Sequence, residues 1–139
     1  MRTLFTAALL GATLLGAAAA QAQDHPLDGV WEGAYICDQG KTGLTLTLDA
    51  TPGGQVTGEF AFWPRSDNPG VPPGRFTIRG TVSPSGDLTL NGDRWLRQPS
   101  GYQTINLTGK ARRGAPGQPD VLLGRVIGPN CTDWVVQRK

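Results

Sequence analysis

The chain has 139 residues, and its 13 basic and 11 acidic side chains give a formal net charge of +2 at neutral pH. That length suits one domain with one core, and so even a charge balance excludes the basic footprint of a nucleic-acid partner. One histidine and two cysteines are too few to assemble an ordinary metal site.

In chain order, Arg2 precedes the apolar stretch LFTAALLGATLLGAAAA, which runs into Ala20-Gln21-Ala22. A positive residue, a short apolar run and a small-x-small site read as a signal peptide over residues 1–22, leaving a single domain over 23–139. The run is rich in Ala and Gly and short for a bilayer span. The expected location is therefore periplasmic or secreted, with no membrane insertion after cleavage.

Beyond the leader, alternation replaces helical periodicity. LTLTL at 44–48 sets Leu44, Leu46 and Leu48 on one face. VTGEFAF does the same with Val56, Phe60 and Phe62, and FTIRGTV with Phe76, Ile78 and Val82. Such period-2 runs bounded by Gly and Pro predict strands with one wet face. Eight are expected, at about 30–37, 43–50, 55–63, 75–82, 87–92, 103–112, 121–127 and 133–138. Four of them carry an apolar-x-Gly-x-apolar pattern centred on Gly58, Gly80, Gly109 and Gly124, each glycine on the apolar face. Glycine weakens a strand, so its recurrence at equivalent places predicts the bends that curl a sheet shut.

The connections TPGG, SPSG and RRGAPGQPD permit antiparallel neighbours, and no segment offers a crossover helix. The predicted fold is all-β: an eight-stranded antiparallel meander closed into a small barrel, which removes exposed edges. Cys37 ends the first strand and Cys131 precedes the last, so closure brings the two together. An exported chain with two cysteines has one available disulfide, and a loop of that length is worth roughly 4 to 5 kcal/mol in chain entropy. Two free thiols or two metal ligands are the alternative, for which His25 is the only histidine.

Gly29-Val30-Trp31 resembles the G-x-W that opens lipocalins and related small meander barrels. The stretch from Gly29 to Val82, with its GQVTGEF hairpin, resembles the first half of avidin-type proteins. This resemblance to the calycin-like group implies a barrel with a ligand mouth at one end. It does not bring a biotin site, because Phe60 and Phe62 stand where the avidin hairpin carries a tyrosine and a serine. The segment Tyr35-x-Cys37-x-Gln39-Gly40-x-Thr42-Gly43-Leu44 is also similar to modules in exported bacterial proteins.

A meander alternates its connections between two ends. One end receives the plain turns near 51–54, 83–86 and 113–120. The other receives CDQGKTG at 37–43, PRSDNPGVPPG at 64–74, DRWLRQPSGYQ at 93–103 and GPNCTD at 128–133. Aromatic rings and arginines dominate binding hot spots, and loops on a rigid scaffold are where recognition concentrates. The candidate ligand-binding residues are accordingly Gln39, Lys41, Trp63, Arg65, Trp95, Arg97 and Tyr102. Prolines in the long loop would reduce the entropy lost on holding a partner. The competing reading is that Trp63 and Trp95 plug the barrel end under solvated arginines.

The inventory for catalysis is poor. His25 lies near the terminus, and no serine elbow or phosphate loop occurs. Asp38, Asp67, Asp93 and Asp133 fall at the loop-rich end, where two could form a glycosidase pair, but loop aspartates more often cap turns. The expectation is a binding module rather than an enzyme, with no cofactor, recognising a small ligand, a glycan or a protein. An inhibitor or envelope-interaction protein acting against another protein is the alternative.

Overall fold

The computed structural model describes residues 25–139 together with Gly16, so the expected leader over 1–22 lies outside the described residues save for that glycine. Eight strands follow one another: β1 (Gly29–Cys37), β2 (Gly40–Ala50), β3 (Gln55–Trp63), β4 (Gly74–Val82), β5 (Asp87–Arg97), β6 (Asn106–Arg112), β7 (Val121–Ile127) and β8 (Asp133–Arg138). Each is antiparallel to the next, and they close in sequence order into a barrel. The ring is completed by β1 against β8, from Trp31↔Arg138 to Tyr35↔Trp134. A disulfide joins Cys37, at the end of β1, to Cys131, in the connection leading into β8.

Alternation along the strands decides what fills the barrel. Leu44, Leu46 and Leu48 of β2 point inward and are buried, whereas Thr47 between them is exposed. Val56, Phe60 and Phe62 of β3, Phe76 and Ile78 of β4, and Leu88 and Leu90 of β5 continue the same inner face. Each such leucine or phenylalanine contributes about 1.5–3 kcal/mol relative to an exposed position.

The inward glycines explain the tight curvature. A Cβ on Gly58 would fall on the Thr47 carbonyl oxygen, one on Gly80 on that of Thr89, and one on Gly124 on that of Thr108. Neighbouring backbones therefore approach more closely here than any side chain permits, which is the close-approach use of glycine in a sheet. Gly109 faces Gly124 across the β6–β7 pair. Trp134 fills the space above Gly109, its indole N–H donating to the Thr108 carbonyl at 3.0 Å.

The barrel end at the start of β1 is closed by Trp31, whose indole N–H donates to the Leu27 carbonyl at 3.0 Å. The Arg138 guanidinium lies 4.2 Å from the centre of the Trp31 ring and donates to the carbonyls of Asp28 and Pro26. The flat cation covers the indole and ties down the chain leading into β1.

Three strand limits differ from the sequence expectation, all at the opposite end. β2 starts at Gly40 rather than 43, because Gly40 takes a positive φ of 88° and a two-residue turn, Asp38-Gln39, suffices. β5 runs on to Arg97 rather than stopping at 92, following β4 through two register shifts that pair Ile78↔Gly92, Phe76↔Trp95 and Arg75↔Arg97. β6 starts at Asn106 rather than 103, and it pairs with β5 only from Asp87↔Lys110 to Leu90↔Leu107. Beyond that point the two strands part. The Asn106 side-chain oxygen accepts the Gly92 N–H at 3.0 Å in place of a ladder bond.

Two measurements test this account. Gly80→Ala should lower stability by roughly 1–3 kcal/mol or more, as overpacking does, whereas Gly70→Ala, where an added Cβ meets nothing, should stay within about 0.5 kcal/mol. Urea midpoints of the two variants compare them directly. Replacing both Cys37 and Cys131 by serine should cost roughly 4 to 5 kcal/mol by the chain-entropy estimate for a 94-residue separation, read from the same unfolding curves.

Candidate functional site

The parting of β5 and β6 shapes the loop-rich end. Into the gap the chain from 98 to 105 folds back over the barrel. The Gln98 amide donates to the Tyr102 carbonyl at 3.0 Å, and the Tyr102 ring stacks on Phe62 with centroids 5.3 Å apart. On the other side the long connection 64–73 is clamped to the β1–β2 turn. The Asn68 amide donates to the carbonyls of Gln39 at 2.7 Å and Lys41 at 3.1 Å, and Val71 is buried against the core. Its prolines are part of a fixed rim, since Arg65 and Asp67 pair at 2.9 Å and a backbone bond closes the turn from Arg65 to Asn68.

Between the 98–105 segment, the β1–β2 turn and the connection into β8 lies a cavity of about 380 Å³, in the range of small-molecule sites. Its walls are the rings of Tyr35, Phe62, Phe76 and Tyr102, Ile105 and the Cys37–Cys131 bridge, with Asp38, Gln39 and Gln103 at the rim. The rings form a continuous set. Phe60 and Phe76 stack at 4.6 Å, Tyr35 meets Phe60 edge-on at 5.1 Å, and Trp95 backs the wall edge-on to Phe76 at 5.1 Å and to Phe62 at 6.1 Å.

Polar groups in this apolar cup are few. The Tyr35 side chain is buried, and its hydroxyl accepts the Gln39 amide N–H at 3.1 Å. Burial pushes the Tyr35 phenol well above its ordinary value; the neighbouring Tyr102 phenol pushes the same way, and the Gln39 hydrogen bond opposes them. Lys and Arg are absent from the residues that line the cavity, and Asp38 is the one acidic side chain there, held by the Asn130 amide at 3.1 Å.

Of the seven residues singled out from sequence, the structure places Gln39 and Tyr102 on the cavity and Trp95 in the wall behind it. The other four lie elsewhere. Trp63 lies on the outer face, its ring filling the space above Gly43 and its indole N–H donating to Thr45 Oγ1 at 3.1 Å. Lys41 lines an outer groove with Ala34, Ile36 and Val135. Arg65 is spent on Asp67. Simple alternation would set Arg97 on the side of Trp95, but the bulge between their partners Arg75 and Phe76 turns it outward. Tyr35, Phe62, Phe76 and Ile105 also line the cavity, and neither charge nor loop position singles them out in the sequence. The available signal was position: they are inward residues at or beside the strand ends nearest the elaborate loops.

The four loop-end aspartates have local partners. Asp38 accepts from Asn130, Asp67 from Arg65, Asp93 pairs with Arg79 at 3.2 Å, and Asp133 accepts from Thr132. Hydrogen bonding to Arg65, helped by its charge, holds the Asp67 carboxyl below its ordinary value. Among the described residues no group of three or more His, Cys, Asp or Glu side chains is placed to hold a metal ion. A second hollow of about 350 Å³ lies at the plain-turn end, lined in part by His25, Trp31, Ser83 and Asp120. Asp120 is engaged there, accepting the Gly114 N–H and pairing with Arg138.

The raised Tyr35 ionisation has a consequence for stability. Unfolded tyrosine ionises near 10.0, whereas the buried phenol retains its proton to higher pH, so the folded state binds the extra proton. Its contribution is complete below pH 10 and is lost as pH rises toward the folded value. Unfolding free energy should therefore fall between pH 9 and pH 11, and Tyr35→Phe should show a shallower fall in urea titrations over that range.

Compared with known proteins, the chain matches no family model, no curated protein and no solved structure. Its membership of a calycin-like family is thus not shown, and what the structure does share with such proteins is the closed eight-stranded antiparallel barrel.

Proposed function

We propose that this is an exported, disulfide-stabilised binding module of the calycin-like kind, which takes a small, largely apolar ligand into the mouth of its barrel. The observation that carries the reading is the aromatic cavity of about 380 Å³ under the rim formed by residues 38–39, 101–105 and 129–131. Pockets of that size, apolar with a few polar groups, are how proteins bury small molecules. The disulfide fits an oxidising compartment, periplasmic or extracellular, and it agrees with the leader expected over 1–22.

The rim supports capture of a ligand rather than passive plugging. Tyr102 is half-buried, closes one wall by stacking on Phe62, and is carried by a connection that leaves the sheet at Arg97 and rejoins it at Asn106. Movement of that connection would admit a guest without breaking a β5–β6 ladder bond, because the ladder has already ended at Leu90↔Leu107. Catalysis has less support. The rim carboxylates are engaged with local partners, and Tyr35 keeps its proton at neutral pH, so neither supplies a ready base.

Native mass spectrometry of the protein purified from its own host tests the proposal. A small molecule retained at one per chain, and lost or reduced at least tenfold in Tyr102→Ala, is the expected result. A mass increase of protein size instead would favour the inhibitor reading. A bound molecule unaffected by Tyr102→Ala would place the site elsewhere.

A further inference from the structure

Both phenols of the mouth have an unspent donor. Tyr35 Oη accepts from Gln39 Nε2, and among the described residues its own proton has no acceptor. Tyr102 bonds to the protein through its backbone carbonyl, and its hydroxyl has no partner among the described residues. Tyr35 is only 3% exposed and no protein acceptor takes its proton among the described residues, so a guest in the cavity would supply one in place of water. The two tyrosines line the same cavity, and they are near enough for Tyr102 to disfavour ionisation of Tyr35.

Resting on the mouth-binding reading, we infer that the ligand is an uncharged, flat ring compound whose carbonyl oxygen takes the Tyr35 and Tyr102 O–H donors. Three features of the cavity select this chemistry. A carbonyl oxygen has two lone pairs and so can receive both donors. The surrounding Phe62, Phe76 and Tyr102 rings offer faces and edges to a planar aromatic body. No Lys or Arg lines the cavity and Asp38 stands at its rim, so a carboxylate would be buried without a counter-charge. The same absence of cations argues against fatty-acid anions as guests. The Gln39 amide fixes the Tyr35 hydroxyl by occupying its acceptor side, which leaves the proton as the part available to the guest.

Isothermal titration with three probes of matched shape tests the assignment: methyl naphthyl ketone, ethylnaphthalene and naphthoate, each against the intact oxidised protein and Tyr35→Phe. The ketone should bind the wild type at least threefold more tightly than the hydrocarbon and tenfold more tightly than the anion. Tyr35→Phe should erase the ketone's advantage and leave ethylnaphthalene within twofold, with thermal unfolding confirming that the variant is folded. Equal binding of ketone and hydrocarbon, indifferent to Tyr35→Phe, would overturn the carbonyl assignment while leaving the mouth as an apolar site. Preference for naphthoate would overturn it in favour of an acid. Failure of all three to bind would count against the carbonyl assignment and the mouth reading together.

Discussion

The fold depends on the junction of its first and last strands. A meander of antiparallel hairpins needs only local contacts until its final step, when β8 must find β1 across almost the whole domain. Five residue pairs join them, from Trp31↔Arg138 to Tyr35↔Trp134, and the ladder is continued by the Thr132 N–H on the Ile36 carbonyl at 3.0 Å. Pairing at that separation carries a large loop-closure cost, which the Cys37–Cys131 bridge reduces by restricting the unfolded chain. At the other end of the same seam, Arg138 of β8 lies over Trp31 of β1 and reaches back to the Asp28 carbonyl. The seam is thus fastened at both ends, by a covalent bond at the mouth and by a stacked cation at the base.

Closing so small a ring determines where space remains. The strands coil tightly because inward glycines allow one backbone to approach the next, as at Gly80 against Thr89 and Gly124 against Thr108. Close approach leaves the middle of the barrel to leucines, Phe60, Trp134 and Val136, all essentially without exposure. Eight-stranded barrels stand at the margin between filled and hollow, and this one is filled through its lower part. At the loop-rich end room appears where the ring loosens, at the split between β5 and β6, and the aromatic cavity lies at that level. The two bulges in β5 belong to the same loosening, since they let the strand follow β4 upward after it has left β6.

These causes explain how far the sequence could be read. The sequence pattern located all eight strands and, for β2, β3 and β4, the inner face, because Leu44-Leu46-Leu48 and Phe60-Phe62 have no other consistent burial. The cysteine positions announced closure. What stayed illegible depends on register. Nothing in DRWLRQPSGYQ states that Trp95 pairs with Phe76 while Arg97 pairs with Arg75, and one extra residue moves an arginine from the cup to the outside. Likewise CDQGKTG reads as a seven-residue loop until Gly40 is seen at positive φ. Charge and aromaticity therefore marked the end of the barrel that holds the aromatic cavity, but only Gln39 and Tyr102 among the marked residues line the cavity itself.

The mouth and the outer surface divide the polar work between them. Arg75, Arg79 and Lys110 lie outside the barrel in ion pairs with Glu59, Asp93 and Asp87, exposed contacts that contribute little to stability. Inside, hydrogen bonding is sparse and each polar atom matters more, because solvent is largely excluded. Trp31 and Trp134 both spend their indole protons on backbone carbonyls, as buried aromatics with a polar edge normally do. Tyr35 departs from that rule: it is as deeply buried as the tryptophans, and its bond from Gln39 satisfies the oxygen without using the proton. A core built only for stability would favour phenylalanine at this position. The hydroxyl kept there, in a cup whose lining holds no Lys or Arg, is the group on which the proposed recognition of a neutral oxygen rests.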